Sequence, residues 1–401
     1  MSDSSHFTSE SDSADRCRRS HGREFGARMA SLAAATAASA ALIGVLFTHR
    51  VVPDMVALGD VAMAMPCDFD GRPINAWRLP GFPATYPPLT ETDARPRWLW
   101  LGNSQLHAIN QPQDGERTAP AVASDVAGFP VFGLSLPNAS LVEHLVVLKW
   151  ALLRRAPEWA ILPVCYDDLR NDEYRPGWSA LASSEPGLLP SLSAIPAAAE
   201  LSAQIAAELR ADPVDLQRSS TGGRSSVLGF AFLAESLQDK SEAALDSFVS
   251  GRFKVWRDRD QMWARVLTEV YLFRNWIFGI TPQTKRTMIP RRFERNMAAL
   301  KAIIEECRSA DVRLLVYVCP LRFDVEPPYV LKDYEAWKDS VRQLSESGGA
   351  AFADLDRIVP SEAWGTFGDK IDFMHFRGEG HRLLGHAVLE SIREAEGRIP
   401  R

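Results

Sequence analysis

Residues 97 to 105 read Arg97-Trp98-Leu99-Trp100-Leu101-Gly102-Asn103-Ser104-Gln105, a short apolar run that stops at turn-forming residues with a serine just beyond. A few consecutive apolar residues bounded by such punctuation are the pattern of a buried strand. The pattern returns at Val131-Phe132-Gly133-Leu134, at Trp159-Ala160-Ile161-Leu162-Pro163-Val164 and at Leu314-Leu315-Val316-Tyr317-Val318. Between these runs the apolar spacing becomes helical, for instance over Leu141 to Leu153 and Phe293 to Cys307. Strands alternating with helices predict an α/β fold, a three-layer arrangement with helices covering a parallel sheet.

Ligands of open α/β sheets bind beyond the carboxyl ends of the strands, so the residues that follow each run come first. A serine on a turn leaving a strand can present its hydroxyl to a crevice, although a turn or N-cap role for Ser104 is the plainer reading of that residue alone. Near the other end stands Asp372-Phe373-Met374-His375-Phe376, followed by Gly378 and a helical stretch from Glu379 to Glu390. A carboxylate three residues before an imidazole can orient the ring and stabilise its protonated form, which is what a serine nucleophile needs from its base. His381 and His386 read as packing or surface residues. No cluster has metal-ligand spacing and the Gly-rich dipeptides form no phosphate loop, so no metal or cofactor is expected.

Together, Gly102-Asn103-Ser104 after the first strand and Asp372-x-x-His375 before the last helix resemble the SGNH, or GDSL-like, hydrolase superfamily. The likeness is greatest to its membrane-anchored envelope branch, with the DltD-like and alginate-acetylation-type proteins. It covers roughly 97 to 170 and 312 to 395 and leaves the middle unmatched. It implies Ser104 as nucleophile, His375 as base and Asp372 as its partner. Phe132-Gly133-Leu134-Ser135 looks like the block whose glycine amide joins the Ser104 amide in an oxyanion hole. Cys165-Tyr166-Asp167-Asp168 stands where many members have Gly-x-Asn-Asp, which brings Asp167 to the third oxyanion position and Asp168 to the substrate side. Asp167 departs from the pattern, because a carboxylate repels the charge an asparagine amide would stabilise. Either it turns away, or it is protonated, or the hole relies on Ser104 and Gly133. Arg322, in Cys319-Pro320-Leu321-Arg322, is placed to hold an anionic or sugar group, or to make a structural salt bridge.

The resemblance implies transfer or removal of a small acyl group, acetyl above all, on an envelope polysaccharide, beside a multi-spanning acyl exporter. Esterase and transferase share the triad and differ only in the acceptor. Two rival readings are an inactive scaffold or glycan-binding protein with the same fold, and D-alanyl transfer in the DltD manner.

The N-terminal part places this chemistry. Residues 1–28 are rich in Ser, Asp and Arg and read as a disordered cytoplasmic tail. Met29 to Thr48 carries no charge over twenty residues, long enough at ~1.5 Å per residue to cross a ~30 Å hydrocarbon layer. It reads as one transmembrane helix; a cleaved signal peptide and a buried helix are the alternatives. Arg16, Arg18, Arg19, Arg23 and Arg28 precede it while only Arg50 follows closely, so the N-terminus should face the cytoplasm and the rest the periplasm or exterior. Residues 49–96 carry eight prolines and read as a stalk or wrapping segment, with the α/β domain over 97–401. Within it, 171–285 reads as a helical insertion that packs on the sheet, forms a lid or rests on the membrane interface. Cys67, Cys165, Cys307 and Cys319 would then lie in an oxidising space, as two disulfides of open pairing or as free thiols.

The whole chain of 401 residues, 46% apolar with a net charge of −6, excludes collagen, full disorder and a multi-spanning membrane protein. Its mild acidity also argues against a nucleic-acid partner, which calls for a basic face.

Overall fold

The apolar runs form strands, and all lie parallel in one sheet. The computed structural model describes residues 67–86, 98–171, 174–175, 177–211, 284–367 and 370–398. The tail at 1–28, the apolar segment at 29–48 and the aromatic-rich part of the insertion, within 212–283, lie outside the described residues. Among the described residues no helix is long and apolar enough to cross a membrane.

A small hairpin, β1 (Asp68–Phe69) and β2 (Arg72–Pro73), leads into β3 (Asn75–Ala76). The sheet continues with β4 (Trp98–Gly102), β5 (Val131–Ser135), β6 (Trp159–Val164), β7 (Arg313–Val318) and β8 (Ala351–Asp354). Its spatial order is β3-β5-β4-β6-β7-β8. The chain therefore steps from β4 to β5 on one side, then returns to lay β6 on the other. This reversal lies between β4 and β6, and the carboxyl side of such a switch point is where doubly wound sheets bind ligands. β3 and β8 were not evident as apolar runs, being two residues and an Ala-rich four. Residues 67–86, within the expected stalk or wrap, bury Phe82 and Tyr86 in the main core and add β3 to the sheet.

Alternation along each strand sorts the core into two layers. Leu99, Leu101, Ala160, Leu162, Val316 and Val318 face one side, against α3 (Leu141–Arg154), α4 (Pro290–Ser309) and α5 (Leu331–Ser347). The described part of the insertion joins this layer through Trp178, Leu181, Leu192 and Ile205. Trp98, Trp100, Trp159, Ile161, Leu315 and Tyr317 face the other side, against α2 (Ala119–Ala127) and α6 (Gly378–Arg398). A cavity-forming change such as Leu162→Ala at a fully buried position should cost about 2–5 kcal/mol. β4 and β6 pair in register from Trp98 with Trp159 to Trp100 with Ile161, and the candidate site is built just beyond their carboxyl ends.

A second hairpin, β9 (Trp364–Phe367) and β10 (Lys370–Phe376), stands apart from the large sheet. Its antiparallel register breaks between Ile371 and Phe376. Asp372 and His375 sit in that irregularity, the kind of feature that re-aims side chains next to a site.

Candidate active site

Ser104 opens α1 (Ser104–His107), a single helical turn directly after β4. Gly102 is required there because a Cβ would run into the Leu106 side chain that folds back over the turn. His375 Nε2 lies 3.0 Å from Ser104 Oγ, and His375 Nδ1 lies 3.0 Å from Asp372 Oδ2. With Nδ1–H donating to the carboxylate, the Nε2 lone pair faces the serine hydroxyl, the tautomer a general base needs. Asp372 Oδ1 accepts from the amides of Met374 and His375 at 2.8 and 3.1 Å, which curls the segment so that both side chains point the same way. All three residues are buried, Asp372 most completely at 2% exposure.

The sequence reading did not single out Asn110. Its Nδ2 donates to Asp372 Oδ2 at 2.7 Å, the oxygen that also receives His375 Nδ1. The side chain fits because Gly365 on β9 has no Cβ to occupy its place. A cluster of polar residues in the apolar stretch Leu106-His107-Ala108-Ile109-Asn110 was the available signal. His107 also proves structural. Its Nδ1 pairs with Ser135 Oγ at 2.8 Å and its ring stacks on Trp77, while burial above all, with His375 nearby, pushes its pKa down to about 3. His381 is a packing residue as expected, tying α6 to the start of α2 and the end of α1: Nδ1 accepts from the Ala119 amide and Nε2 donates to the carbonyl of Ala108, the C-cap of α1. Burial takes it down to about 4.

Three expectations need correction, and Arg322 takes the structural one of its two readings. Gly133 lies inside β5, and its amide donates to the Ile74 carbonyl at 2.7 Å, so it is not available to an oxyanion. A Cβ there would overlap Asn75, which explains the glycine on packing grounds. Asp167 is taken up by other partners: Oδ2 receives Arg286 Nη1 and the Tyr329 hydroxyl, and Oδ1 receives Arg170 Nη1 at 3.1 Å. It is the anchor of an arginine cluster and no oxyanion donor. Asp168 is buried at 3% exposure and accepts from Asn103 Nδ2 at 3.0 Å, so its carboxyl faces the residue before the nucleophile and not solvent. Burial first of all raises its pKa to about 8. Arg322 makes a bidentate pair with Asp324 at 2.8 and 2.9 Å and spends Nη1 on the carbonyls of Gly365 and Asp372. It clamps the hairpin, the structural role weighed against substrate binding.

Among the described residues one disulfide joins Cys165 and Cys319, the residues that directly follow β6 and β7, while Cys67 and Cys307 are buried free thiols. Among the described residues no group of His, Cys, Asp and Glu has the arrangement of a metal site.

No family model matches the chain, and no curated protein matches its sequence. Solved structures offer loose likenesses. An acetylxylan esterase from Geobacillus stearothermophilus is 8% identical with a TM-score of 0.34, over 76% of this chain and 96% of that one. A putative acylhydrolase from Bacteroides fragilis is 9% identical at 0.36, over 79% and 95%. A carbohydrate esterase family 2 enzyme with a carbohydrate-binding domain, from Corynascus thermopiles, is 10% identical at 0.36, over 77% and 69%.

Proposed function

We propose that the chain is an SGNH-type serine esterase or acyltransferase that handles O-acetyl groups of a cell-envelope polysaccharide. The observation that carries this reading is the continuous chain from Ser104 Oγ through His375 to Asp372, each contact 3.0 Å. A serine hydroxyl is a poor nucleophile until a base takes its proton, and this geometry supplies the base and fixes its tautomer. In the first half-reaction Ser104 Oγ attacks the ester carbonyl carbon while Nε2 accepts the hydroxyl proton. Asp372 stabilises the imidazolium through Nδ1–H. The tetrahedral intermediate collapses, the alcohol leaves with the proton from Nε2, and the acetyl group remains on Ser104. A sugar hydroxyl or water then reverses these steps.

The amide of Ser104, first in its helical turn and so without an intrahelical acceptor, serves the oxyanion. With Gly133 and Asp167 otherwise engaged, the site works with fewer of the expected donors. Each missing donor typically costs ~10²–10³ in rate, so slow turnover follows.

Placement belongs to the same proposal. The uncharged segment 29–48 with its preceding arginines supports a single membrane anchor with the domain outside the cytoplasm. The Cys165–Cys319 bridge fits an oxidising compartment. A multi-spanning acyl exporter would supply the donor. The Ser104–His375 contact speaks against an inactive scaffold, for which those groups would stand apart.

The test is turnover of a chromogenic acetyl ester and covalent labelling by a fluorophosphonate. Ser104→Ala should abolish both. Unchanged hydrolysis in that variant overturns the proposal. Acetate released to water against acetate transferred to an oligosaccharide then separates esterase from transferase.

A further inference from the structure

The residue before the nucleophile is held on three sides. Asn103 Oδ1 accepts from the Gln105 amide at 3.0 Å, which caps α1. Its Nδ2 donates to Asp168 Oδ2 and to Cys165 Sγ, each at 3.0 Å, so both amide hydrogens are engaged. The two acceptors are themselves fixed. Cys165 is bridged to Cys319, and the Asp168 amide donates to the Cys165 carbonyl at 3.1 Å. Asn103, Cys165 and Asp168 are 2, 5 and 3% exposed, so water does not compete for these bonds. Gln105 adds a further tie, with Nε2 donating to the carbonyl of Pro320, next to Cys319.

We infer that Asn103 is the positioning residue of the nucleophile, and that Asp168 together with the Cys165–Cys319 bridge is the seat that holds it. The peptide joining Asn103 to Ser104 carries the N–H that meets the oxyanion, so whatever fixes Asn103 fixes that donor and the direction of Ser104 Oγ. A displacement near 1 Å at such a point can cost ~10² in rate. The inference rests on the acyl-serine reading and explains why Asp168, placed by resemblance beside the substrate, is found against Asn103 instead.

Three variants test it by steady-state hydrolysis of a chromogenic acetyl ester, with thermal melts alongside. Asn103→Asp keeps the capping oxygen, loses both donors and sets a second carboxyl against Asp168. It should lower kcat ~10²-fold and leave KM within about threefold, since ground-state binding is untouched. Asn103→Ser keeps a capping oxygen without the charge and should lose ~10-fold in kcat. The double variant Asn103→Asp/Asp168→Asn exchanges donor and acceptor across the same contact and should recover at least ~10-fold over Asn103→Asp alone. Wild-type kcat in both single variants overturns the inference. So does a double variant that regains its melting temperature without regaining kcat, because that pattern marks a purely structural contact. Ser104→Ala, run in parallel, separates the two levels: if it retains activity the acyl-serine reading fails, whereas an inactive Ser104→Ala beside a fully active Asn103→Asp removes only the positioning role.

Discussion

Asn110 and His375 share one oxygen of Asp372: Asn110 Nδ2 donates to Oδ2 at 2.7 Å and His375 Nδ1 meets the same atom at 3.0 Å. The oxygen that receives the imidazole is thus held by a second donor as well. Asn110→Ala should free it to rotate and lower kcat for ester hydrolysis by ~10-fold or more, with little change in KM. Gly365→Ala should mimic that loss, because its methyl would fall within the space of the Asn110 side chain. Equal kcat in both variants and the wild type would show that Asp372 needs no support.

Arg322 provides a test of clamp against ligand. Its fork is filled by Asp324, and its third nitrogen by the carbonyls of Gly365 and Asp372. Arg322→Ala should therefore reduce kcat and lower the melting temperature, and Arg322→Lys should rescue poorly because an ammonium cannot reproduce the fork. A substrate-binding arginine would instead raise KM with the fold unchanged, and steady-state kinetics on an acetylated oligosaccharide distinguish the two.

Removing the disulfide should lower stability as well as loosen the seat of Asn103, so kcat falls along with the denaturation midpoint. The bridge spans a sequence separation of 154 residues. Closing a loop that long is worth about 5 kcal/mol in the chain-entropy model. Cys165→Ala/Cys319→Ala should show a clearly lower denaturation midpoint in urea, and an unchanged midpoint would mean that the unfolded chain gains nothing from release of the bridge.

Acid stability should follow the buried histidines. His107 and His144 are held down to about 3, and His381 to about 4, each by burial first. At pH 7 they are neutral in both folded and unfolded chains, so their full contribution is present above the unfolded value of about 6.5. As pH falls below that value the unfolded chain takes up protons that the folded one refuses, and stability is lost progressively toward pH 4. Asp168, raised to about 8, works in the opposite direction over this window, so the histidine effect is read as a difference: from pH 7.5 to 4.5 the wild-type denaturant midpoint should fall relative to that of His107→Gln. Parallel curves for variant and wild type would remove His107 from this account.

Much of the site was legible because its strongest signals are local. Ser104 follows a strand and turn contained within nine residues, and Asp372 and His375 lie three apart, so short-range pattern sufficed for both. The failures come from partners that pattern does not reach. Gly133 looked like a free amide because the two-residue strand that claims it, Asn75–Ala76, is too short to announce itself and lies in a proline-rich stretch. Asp167 stands at an asparagine's place in the resembled pattern, while its partner Arg286 lies 119 residues further on, past the insertion. Of the cysteines, Cys165 and Cys319 pair because β6 and β7 are neighbours in register, a relation that only the strand order reveals.

The wide separation of nucleophile and base also has a consequence in time. Ser104 precedes His375 by 271 positions. At roughly 5–20 residues per second of synthesis, the serine is made about 15–55 s before the imidazole that activates it. Throughout that interval the growing chain carries a nucleophile with no base, and the hairpin that delivers the base precedes only α6 among the described elements. Under the proposed function, ester cleavage would therefore report that the final hairpin has docked, and a chain released early by a truncated message would be silent however well its sheet had formed.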